Sequence, residues 1–334
     1  MNKNKMRINN NFDFLRLFAS LLVLISHQFP LGGRLEPKIF EHNLGVVAVF
    51  IFFIISGYWV TKSYQKENSV KIFIAKRMLR IFPALFVCII VCYFIIGPIG
   101  FSGNIKSYFL EKEYYNFFKN LYFVPALEFE GIFTNNPHPN IMNGSLWTLP
   151  IEFKWYLILC LFGYFKLINK KVIFLVLLTS ILFYIYKNYY SYETKDIKNF
   201  FYLGNFFLCG IFLALVKLNN LVLVLAFLFS ISLLVVKFYY LALIIGLPPL
   251  IIFIGTKSFK YLNQTYKIGD LSYGIFLFAF PIQQTLYYFF ISKINFSIIF
   301  MLTIFITITF AYISWKFIEK PALNFKKKLY FEKI

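Results

Sequence analysis

Two side chains that can do chemistry stand in an otherwise apolar stretch near the start of the chain. In FDFLRLFASLLVLISH, Arg16 and His27 are eleven positions apart. At about 3.6 residues per turn and about 1.5 Å per residue, a helix places both on one face, about 16 Å apart along its axis. A permanently charged guanidinium suits anion binding, and an imidazole that titrates near neutral pH suits general-base chemistry.

A simpler interpretation gives these two residues no common purpose. Arg16 would extend its charge to one membrane interface, and His27 would lie among the headgroups of the other. Their shared face argues against this interpretation, and so does the chain's use of arginine. Only five of the 34 basic residues are arginines, so an arginine indicates a position where a bidentate, always-charged group is needed.

A second pair of arginines has a spacing that suits phosphate. Arg77 and Arg80 in KRMLRIFP are three positions apart, and residues at that spacing are neighbours on one helix face. Two adjacent guanidinium groups can bind phosphate oxygens through paired hydrogen bonds. The alternative is an ordinary cytoplasmic cluster of positive charge, which lysine would satisfy equally well.

A carboxylate occurs where lipid is expected. Glu152 lies about two turns into the apolar segment SLWTLPIEFKWYL, two positions after Pro150. A carboxylate at that depth needs a cation or hydrogen-bond donors. In the membrane topology that the loop charges predict, His27 lies at a depth comparable to that of Glu152, so His27 is the predicted partner of Glu152.

Further polar residues flank two late apolar segments. GDLSYGIF places Asp270, Ser272 and Tyr273 at the start of one, and SWKFIEKP places Glu319 at the end of the other. Glu319 is predicted to meet one of the paired arginines, and a plain salt bridge is the ordinary interpretation of such a contact.

These residues need helices to hold them in a membrane. The chain is 60% hydrophobic and 14% charged, with a mean hydropathy of +0.69, whereas soluble domains are nearer half apolar and a quarter charged. The sequence therefore predicts an all-α, polytopic transmembrane bundle of about ten helices. The predicted membrane-spanning segments are 12–30, 45–63, 80–100, 145–166, 170–187, 199–217, 220–235, 237–255, 269–291 and 296–318.

The placement of charge predicts the orientation. The net charge of +20 comes mainly from lysines in short loops, and a count of ten puts these loops on one side, the cytoplasm by the positive-inside rule. Both termini are predicted there, and the long loop 101–144 opposite. No nucleic-acid partner is expected from this pattern. We expect one integral domain over residues 1–334, with no fused soluble domain and with four packed, free cysteines.

Six motifs, in order along nearly the whole chain, resemble the acyltransferase-3 family of integral membrane acyltransferases. The first is the Arg-x10-His helix, and the second, GVVAVFIFFIISGY, ends in Phe-Phe-x-x-Ser-Gly-aromatic and contains Ser56. The remaining four are KRMLRIFP, SLWTLPIEFKWYL, SYGIFLFAFP and FIEKP. Each motif is weak alone, and their order and spacing make the resemblance specific.

Two positions depart from the family pattern. Ala279 stands where a histidine is common, which leaves His27 as the single histidine expected in the membrane. Pro150 stands where a serine is common, which leaves the local hydrogen bonding of Glu152 open.

The resemblance implies an acyl-CoA donor, commonly acetyl-CoA, on the cytoplasmic side. Arg77 and Arg80 would then hold the CoA phosphates, and Arg16 would orient the pantetheine arm or the thioester. Ser56 and Tyr273, which belong to two of the motifs, would complete the donor site. No metal is expected.

The resemblance also implies a sugar hydroxyl as acceptor. His27 would deprotonate that hydroxyl or carry the acyl group transiently, and Glu152 would orient the imidazole. The acceptor would be a polysaccharide or glycolipid of the envelope, at the cytoplasmic (inner) membrane of a bacterium. Membrane lipids would surround the protein, and a separate extracytoplasmic acyltransferase could complete the transfer.

Two other classes of protein stay open at this point. A transporter of acyl groups or polysaccharide units would also combine ten helices with buried charge. Transporters often contain internal repeats, and none is evident in the sequence. A non-catalytic assembly subunit would tolerate substitution of Arg16 and His27.

Overall fold

A computed structural model describes residues 10–67, 69–190, 195–259 and 261–325 of the protein. This part of the chain is an all-α bundle, as the sequence predicts. Eight of its helices are long and apolar enough to cross a membrane, by length and composition. Many of the basic residues used to predict the orientation of the two termini lie in 1–9 and 326–334, outside the described residues.

The first three helices form the frame of the site. They are α1 (Phe12–Leu31), α2 (Leu44–Glu67) and α3 (Val70–Val91). A two-residue antiparallel pair, β1 (Lys38–Ile39) and β2 (His42–Asn43), closes the turn between α1 and α2. α3 continues through a π-helical stretch, Cys92–Ile96, into a last turn, Gly97–Gly100.

The loop after α3 is folded rather than extended. It contains a short helix, α4 (Ile105–Leu110), and two 3-10 segments, Lys112–Tyr122 and Gly144–Thr148. The second 3-10 segment leads directly into α5 (Leu149–Tyr164). Proline at the second position of α5 is compatible with a helix start, because the amide of that residue has no helical acceptor.

The second half of the chain completes the bundle. Its helices are α6 (Lys170–Tyr190), α7 (Lys195–Leu215), α8 (Asn220–Val235), α9 (Tyr239–Thr256), α10 (Ser272–Phe290) and α11 (Phe296–Ser314). A 3-10 segment, Leu262–Lys267, precedes α10. After α11 the chain passes through a π-helical stretch, Trp315–Glu319, into a short helix, α12 (Lys320–Phe325).

All ten predicted segments are helical, with two differences from the expected pattern. The third helix begins at Val70, ten residues before the predicted start at 80. That extension is rich in basic residues, so an apolar pattern does not mark it. α8 has 16 residues and is shorter than the roughly 20 that a membrane requires. Lys237, with φ 62°, separates it from α9.

α2 lies at the centre of the bundle and packs closely against α7. A Cβ added at Gly57 would lie 2.1 Å from the carbonyl oxygen of Phe207, and one at Gly210 would lie 2.3 Å from the carbonyl oxygen of Ile54. The two backbones are therefore in direct contact, as small residues allow between membrane helices. α1, α3, α5 and α9 also pack on α2, so its residues are fixed from several sides.

Candidate functional site

A cavity of about 240 Å³ lies among α1, α2, α3, α5 and α10. Six of the seven residues predicted for the site line it. They are Arg16, Ser56, Arg77, Arg80, Glu152 and Tyr273. His27, the seventh, is not among the lining residues. The cavity therefore combines the predicted donor-binding residues with Arg16 and Glu152, which together with His27 were predicted to take part in catalysis.

Arg80 is held by two carboxylates. Its Nη2 is 2.7 Å from Oδ2 of Asp270, and its Nη1 is 3.2 Å from Oε2 of Glu319. Ser272 donates to the other oxygen of Asp270, and Ser314 to that of Glu319. The predicted meeting of Glu319 with an arginine is confirmed, and it fastens the end of α11 to α3.

Arg77 has a different environment. Its Nε is buried and has no hydrogen-bond partner among the described residues. The guanidinium carbon lies 5.8 Å from the ring centre of Tyr156 and 6.0 Å from that of Phe73. Aromatic faces stabilise a cation without occupying its hydrogen-bond donors. Among the described residues, Arg77 is thus a cavity cation that forms no salt bridge, and its Nε donor is unused.

The two arginines consequently do not form the symmetric clamp that their spacing predicts. Their shared helix face is as expected, but Arg80 is already bound to two of the protein's own carboxylates, one just before α10 and one after α11. Sequence spacing on one helix cannot show which of two like residues meets partners from distant segments. The structure leaves Arg77 as the stronger candidate for phosphate.

The remaining cations of the cavity also have acidic neighbours. Arg16 Nη1 lies 3.3 Å from Oδ1 of Asp13, one turn earlier on α1. Lys76 forms an ion pair with Glu67, across the turn between α2 and α3. Lys76 was not predicted for the site, because it resembles the other lysines of the loop; its near-complete burial distinguishes it.

Glu152 is bound by two hydroxyl groups. Ser56 Oγ donates to its Oε1 at 2.6 Å, and the hydroxyl of Tyr156, one turn along α5, donates to the same oxygen. Tyr156 also lies 3.3 Å from Ser56 Oγ. Tyr156 was missed by the sequence analysis; its i,i+4 position from Glu152 in an aromatic-rich helix is the signal that could have found it.

The predicted pairing of Glu152 with His27 is wrong, and the depth of α5 explains why. His27 packs its ring against Phe280, with 5.3 Å between ring centres. Gly144 lies against the same ring, since a Cβ there would be 2.6 Å from Phe280. Glu152 follows Gly144 by eight residues, through the 3-10 segment and the first turn of α5, which places it about 12–14 Å further along.

His27 nevertheless lies just beyond the apolar end of the cavity. Phe276 lines the cavity, and Phe280, which contacts His27, is one turn further along α10. The four residues from Phe276 to Phe280 correspond to about 6 Å along the helix axis. The buried Nδ1 of His27 has no hydrogen-bond partner among the described residues. The polar stripe of α1 therefore runs from the cavity at Arg16 to an imidazole beyond its far end.

Comparisons with known proteins agree with these motifs. The model of the acyltransferase-3 family, described as "Acyltransferase domain", matches residues 9–316. A protein named "O-acetyl transferase", from Shigella phage Sf6, is 41% identical over 156 residues, 46% of this chain and 45% of that protein. "Nodulation protein 10", from Rhizobium leguminosarum bv. viciae, is 36% identical over 165 residues, 45% of this chain and 43% of that protein.

The matched part is thus less than half the length of each of these two relatives. No solved structure matches the chain. The family match, in contrast, covers nearly all ten helices and every residue predicted for the site. On that match, the chain belongs to the acyltransferase-3 family of integral membrane acyltransferases.

Proposed function

We propose that the protein is an O-acyltransferase that moves an acetyl or other short acyl group from acyl-CoA to a hydroxyl of an envelope polysaccharide or glycolipid. One observation carries the proposal. A single cavity begins among cationic side chains and ends one turn short of an imidazole. The phage relative is named an O-acetyl transferase, which favours acetyl as the acyl group.

The donor would enter with its phosphates towards α3. Arg77 has free donors for a phosphate group, and charge-assisted hydrogen bonds of this kind are among the strongest in proteins. Lys76 and Arg16 add positive charge to the same cavity. On the orientation predicted from the loops, these residues lie near the cytoplasmic ends of their helices, where CoA is available.

The pantetheine arm would follow the cavity past Glu152 towards Phe276. Its amide N–H groups are donors, and a carboxylate held by Ser56 and Tyr156 still has free acceptor positions. The apolar wall formed by α2 and α10 suits the methylene groups of the arm. In this position the thioester would reach the end of the cavity that is nearest to His27.

His27 would act as the general base. It would take the proton of the acceptor hydroxyl while the hydroxyl oxygen attacks the thioester carbon. The C–S bond then breaks, the ester C–O bond forms, and the proton passes from the imidazole to the departing thiolate, giving free CoA. A positioned general base contributes about 10²- to 10⁴-fold to the rate of such reactions.

The proposal places the protein in a bacterial cytoplasmic membrane with both termini inside. The acceptor would be presented at the outer side, near the end of α1 that carries His27. A separate extracytoplasmic enzyme could receive the acyl group instead. An assay of the protein alone distinguishes these two routes, because only direct transfer gives acylated polysaccharide without a second protein.

The test uses the full chain in lipid vesicles, with radiolabelled acetyl-CoA and surface polysaccharide purified from a host strain that lacks the gene. We expect label in the polysaccharide with the wild-type protein, and a loss of about 10²-fold or more with His27→Ala. His42→Gln, in the turn between α1 and α2, is the matched control and should transfer at the wild-type rate. Unchanged transfer by a folded His27→Ala protein would refute the role of His27, and no transfer by the wild type would refute the function.

A further inference from the structure

The outer ends of α1 and α10 hold a cluster of buried side-chain amides, on the far side of His27 from the cavity. The amide cluster consists of Gln28 on α1, Gln283 and Gln284 on α10, and Asn136 from the loop before α5. All four are at most 5% exposed. Buried amides in a membrane protein are costly unless each polar atom has a partner, so their hydrogen bonds define what the cluster can still bind.

Gln283 is fixed by two bonds to α1. Its Nε2 donates to the carbonyl oxygen of Leu24 and to Oε1 of Gln28, both at 2.8 Å. Because the two neighbours are oxygen acceptors, the amide cannot be turned around without setting oxygen against oxygen. Its Oε1 is therefore an acceptor, and it has no partner among the described residues. Gln283 is three positions from Phe280, the residue that contacts His27.

Asn136 is fixed in the same way on the other side. Its Nδ2 donates to the main-chain oxygen of Gln284 at 2.9 Å and to Oε1 of Gln284 at 2.8 Å. Its orientation is thus determined as well, and its Oδ1 is a buried acceptor without a partner in the described chain. With Nδ1 of His27, this makes three buried polar atoms that have no partner in the described chain. Gln283 is bonded to Gln28, the residue after His27, and Asn136 is bonded to Gln284, the residue after Gln283.

The loop that carries Asn136 is clamped over this region. Nε2 of Gln284 donates to the main-chain oxygens of His138 at 2.7 Å and Ile141 at 2.9 Å. Pro137 lies beside Gly33, just after α1, since a Cβ at Gly33 would be 3.5 Å from its ring. The main chain of residues 136–141 therefore covers the outer end of α1, one turn of α10 above the level of Phe280 and His27.

His138 projects from this clamped segment. Its main-chain oxygen is held by Gln284, whereas its side chain is exposed. Gln284, which holds the main chain of His138, is one turn of α10 beyond Phe280, the ring that packs against His27. The outer approach to His27 is thus bordered by an exposed imidazole and by two fixed amide oxygens.

We propose that this region is the acceptor subsite, and that it binds a polyhydroxyl ligand such as a sugar residue. The inference rests on the proposed function, which it extends by naming the residues that hold the acceptor. Gln283 Oε1 and Asn136 Oδ1 are neutral acceptors, so they suit hydroxyl donors and offer nothing to an anion. Two hydroxyls bound to these oxygens would hold a third at His27, while His138 contacts the sugar from outside.

Hydroxyl recognition of this kind is selective, because an acceptor that lacks the hydroxyl leaves a buried oxygen unpaired. A lost hydrogen bond at such a site discriminates far more strongly than a lost methylene group. Residues 136–141 are therefore the segment that selects the acceptor.

The test separates acceptor binding from donor binding. The full-length protein in vesicles is assayed with polysaccharide from the gene-deleted strain, and the polysaccharide and acetyl-CoA concentrations are varied independently. Because the His138 side chain makes no hydrogen bond in the described structure, His138→Ala should leave the loop clamped. We expect His138→Ala to raise the KM for polysaccharide about tenfold, which corresponds to the loss of one hydrogen bond. The KM for acetyl-CoA should stay unchanged. Lys106→Ala, exposed in the same loop, is the control.

Gln283→Met gives an independent measurement at the buried oxygen. The substitution retains the volume of the side chain at position 283, and the affinity for CoA reports whether the protein has folded. The proposal requires CoA affinity to be retained and transfer to polysaccharide to fall. It is overturned if His138→Ala keeps the wild-type KM for polysaccharide, or if Gln283→Met binds CoA and transfers normally. Absence of transfer by the wild type contradicts the proposed function instead, so the two failures are distinguishable.

Discussion

Single residues in the cavity divide into those that hold the protein together and those that remain available to a ligand. Arg80 belongs to the first group, since Asp270 and Glu319 bind it from two distant segments. Arg77 belongs to the second, since it lies over two aromatic rings and forms no salt bridge among the described residues. The same residue type, one turn apart on α3, therefore has two different roles.

Replacement of each arginine by glutamine tests that division. Arg77→Gln removes a charge-assisted bond to phosphate and should weaken CoA affinity about tenfold or more at unchanged stability. Arg80→Gln leaves two buried carboxylates without their cation, which costs about 3 kcal/mol or more in such sites. It should therefore lower the thermal unfolding temperature. CoA titration and unfolding in detergent measure the two effects, and equal effects of both variants would contradict the division.

The sequence could identify these residues but only some of their partners. Spacing on one helix predicted the shared face of Arg77 and Arg80, and the predicted ends of the membrane-spanning segments indicated that Glu319 meets one of these arginines. The pairing of Glu152 was predicted wrongly, because it depends on how deep α5 enters the bundle. Tyr156 and Ser56, which bind Glu152, come from two helices whose relative height no local pattern records.

At the scale of helices, the site depends on the contact between α2 and α7. Ser56 is next to Gly57, whose Cα faces the backbone of α7 at a distance that excludes a side chain. The close contact fixes the height and rotation of α2, and with them the hydroxyl that Ser56 offers to Glu152. Glycine at this contact is needed for proximity rather than for an unusual backbone angle.

Gly210→Ala tests the contact from the α7 side. The added Cβ would lie 2.3 Å from the carbonyl oxygen of Ile54 and 2.9 Å from the amide of Tyr58, so the helices must separate. We expect a loss of about 1–3 kcal/mol in stability and a lower acyl-transfer rate. Gly246→Ala is the comparison variant in α9: its Cβ meets the Ser230 side chain and no backbone atom within 4 Å, so it should lower the unfolding temperature less than Gly210→Ala. A stable, fully active Gly210→Ala protein would show that the close contact is dispensable.

The ten apolar segments were predictable because hydrophobic length is a strong signal in a membrane protein. The extra ten residues of α3 were not, since basic residues interrupt the apolar pattern from Val70 onwards. The two π-helical stretches also have no sequence signature. One of them, Trp315–Glu319, carries the carboxylate that reaches Arg80.

For the whole molecule, the orientation in the membrane decides which substrate meets which end of the site. The predicted arrangement puts loop 101–144 outside and the segment between α9 and α10 inside. The four cysteines, Cys88, Cys92, Cys160 and Cys209, are buried, so they provide a low background for chemical labelling.

Introduced cysteines test the orientation. Lys106→Cys and Ser258→Cys are both at exposed positions, on opposite sides of the predicted topology. A membrane-impermeant maleimide applied to intact spheroplasts should label the first variant, and the second only after permeabilisation. The native chain, with its buried thiols, is the control. The reverse labelling pattern would show that the protein has the opposite orientation in the membrane. The donor cavity would then lie on the wrong side for cytoplasmic CoA.

The one-turn separation between the cavity and His27 has a consequence for the cell as well as for the reaction. Phe276 lines the cavity, and Phe280 packs against His27 one turn further along α10. A continuous aqueous passage at this point would conduct protons and small ions down the membrane potential. On the proposed function, these two aromatic rings would therefore also insulate the membrane electrically while an acyl group passes from donor to acceptor.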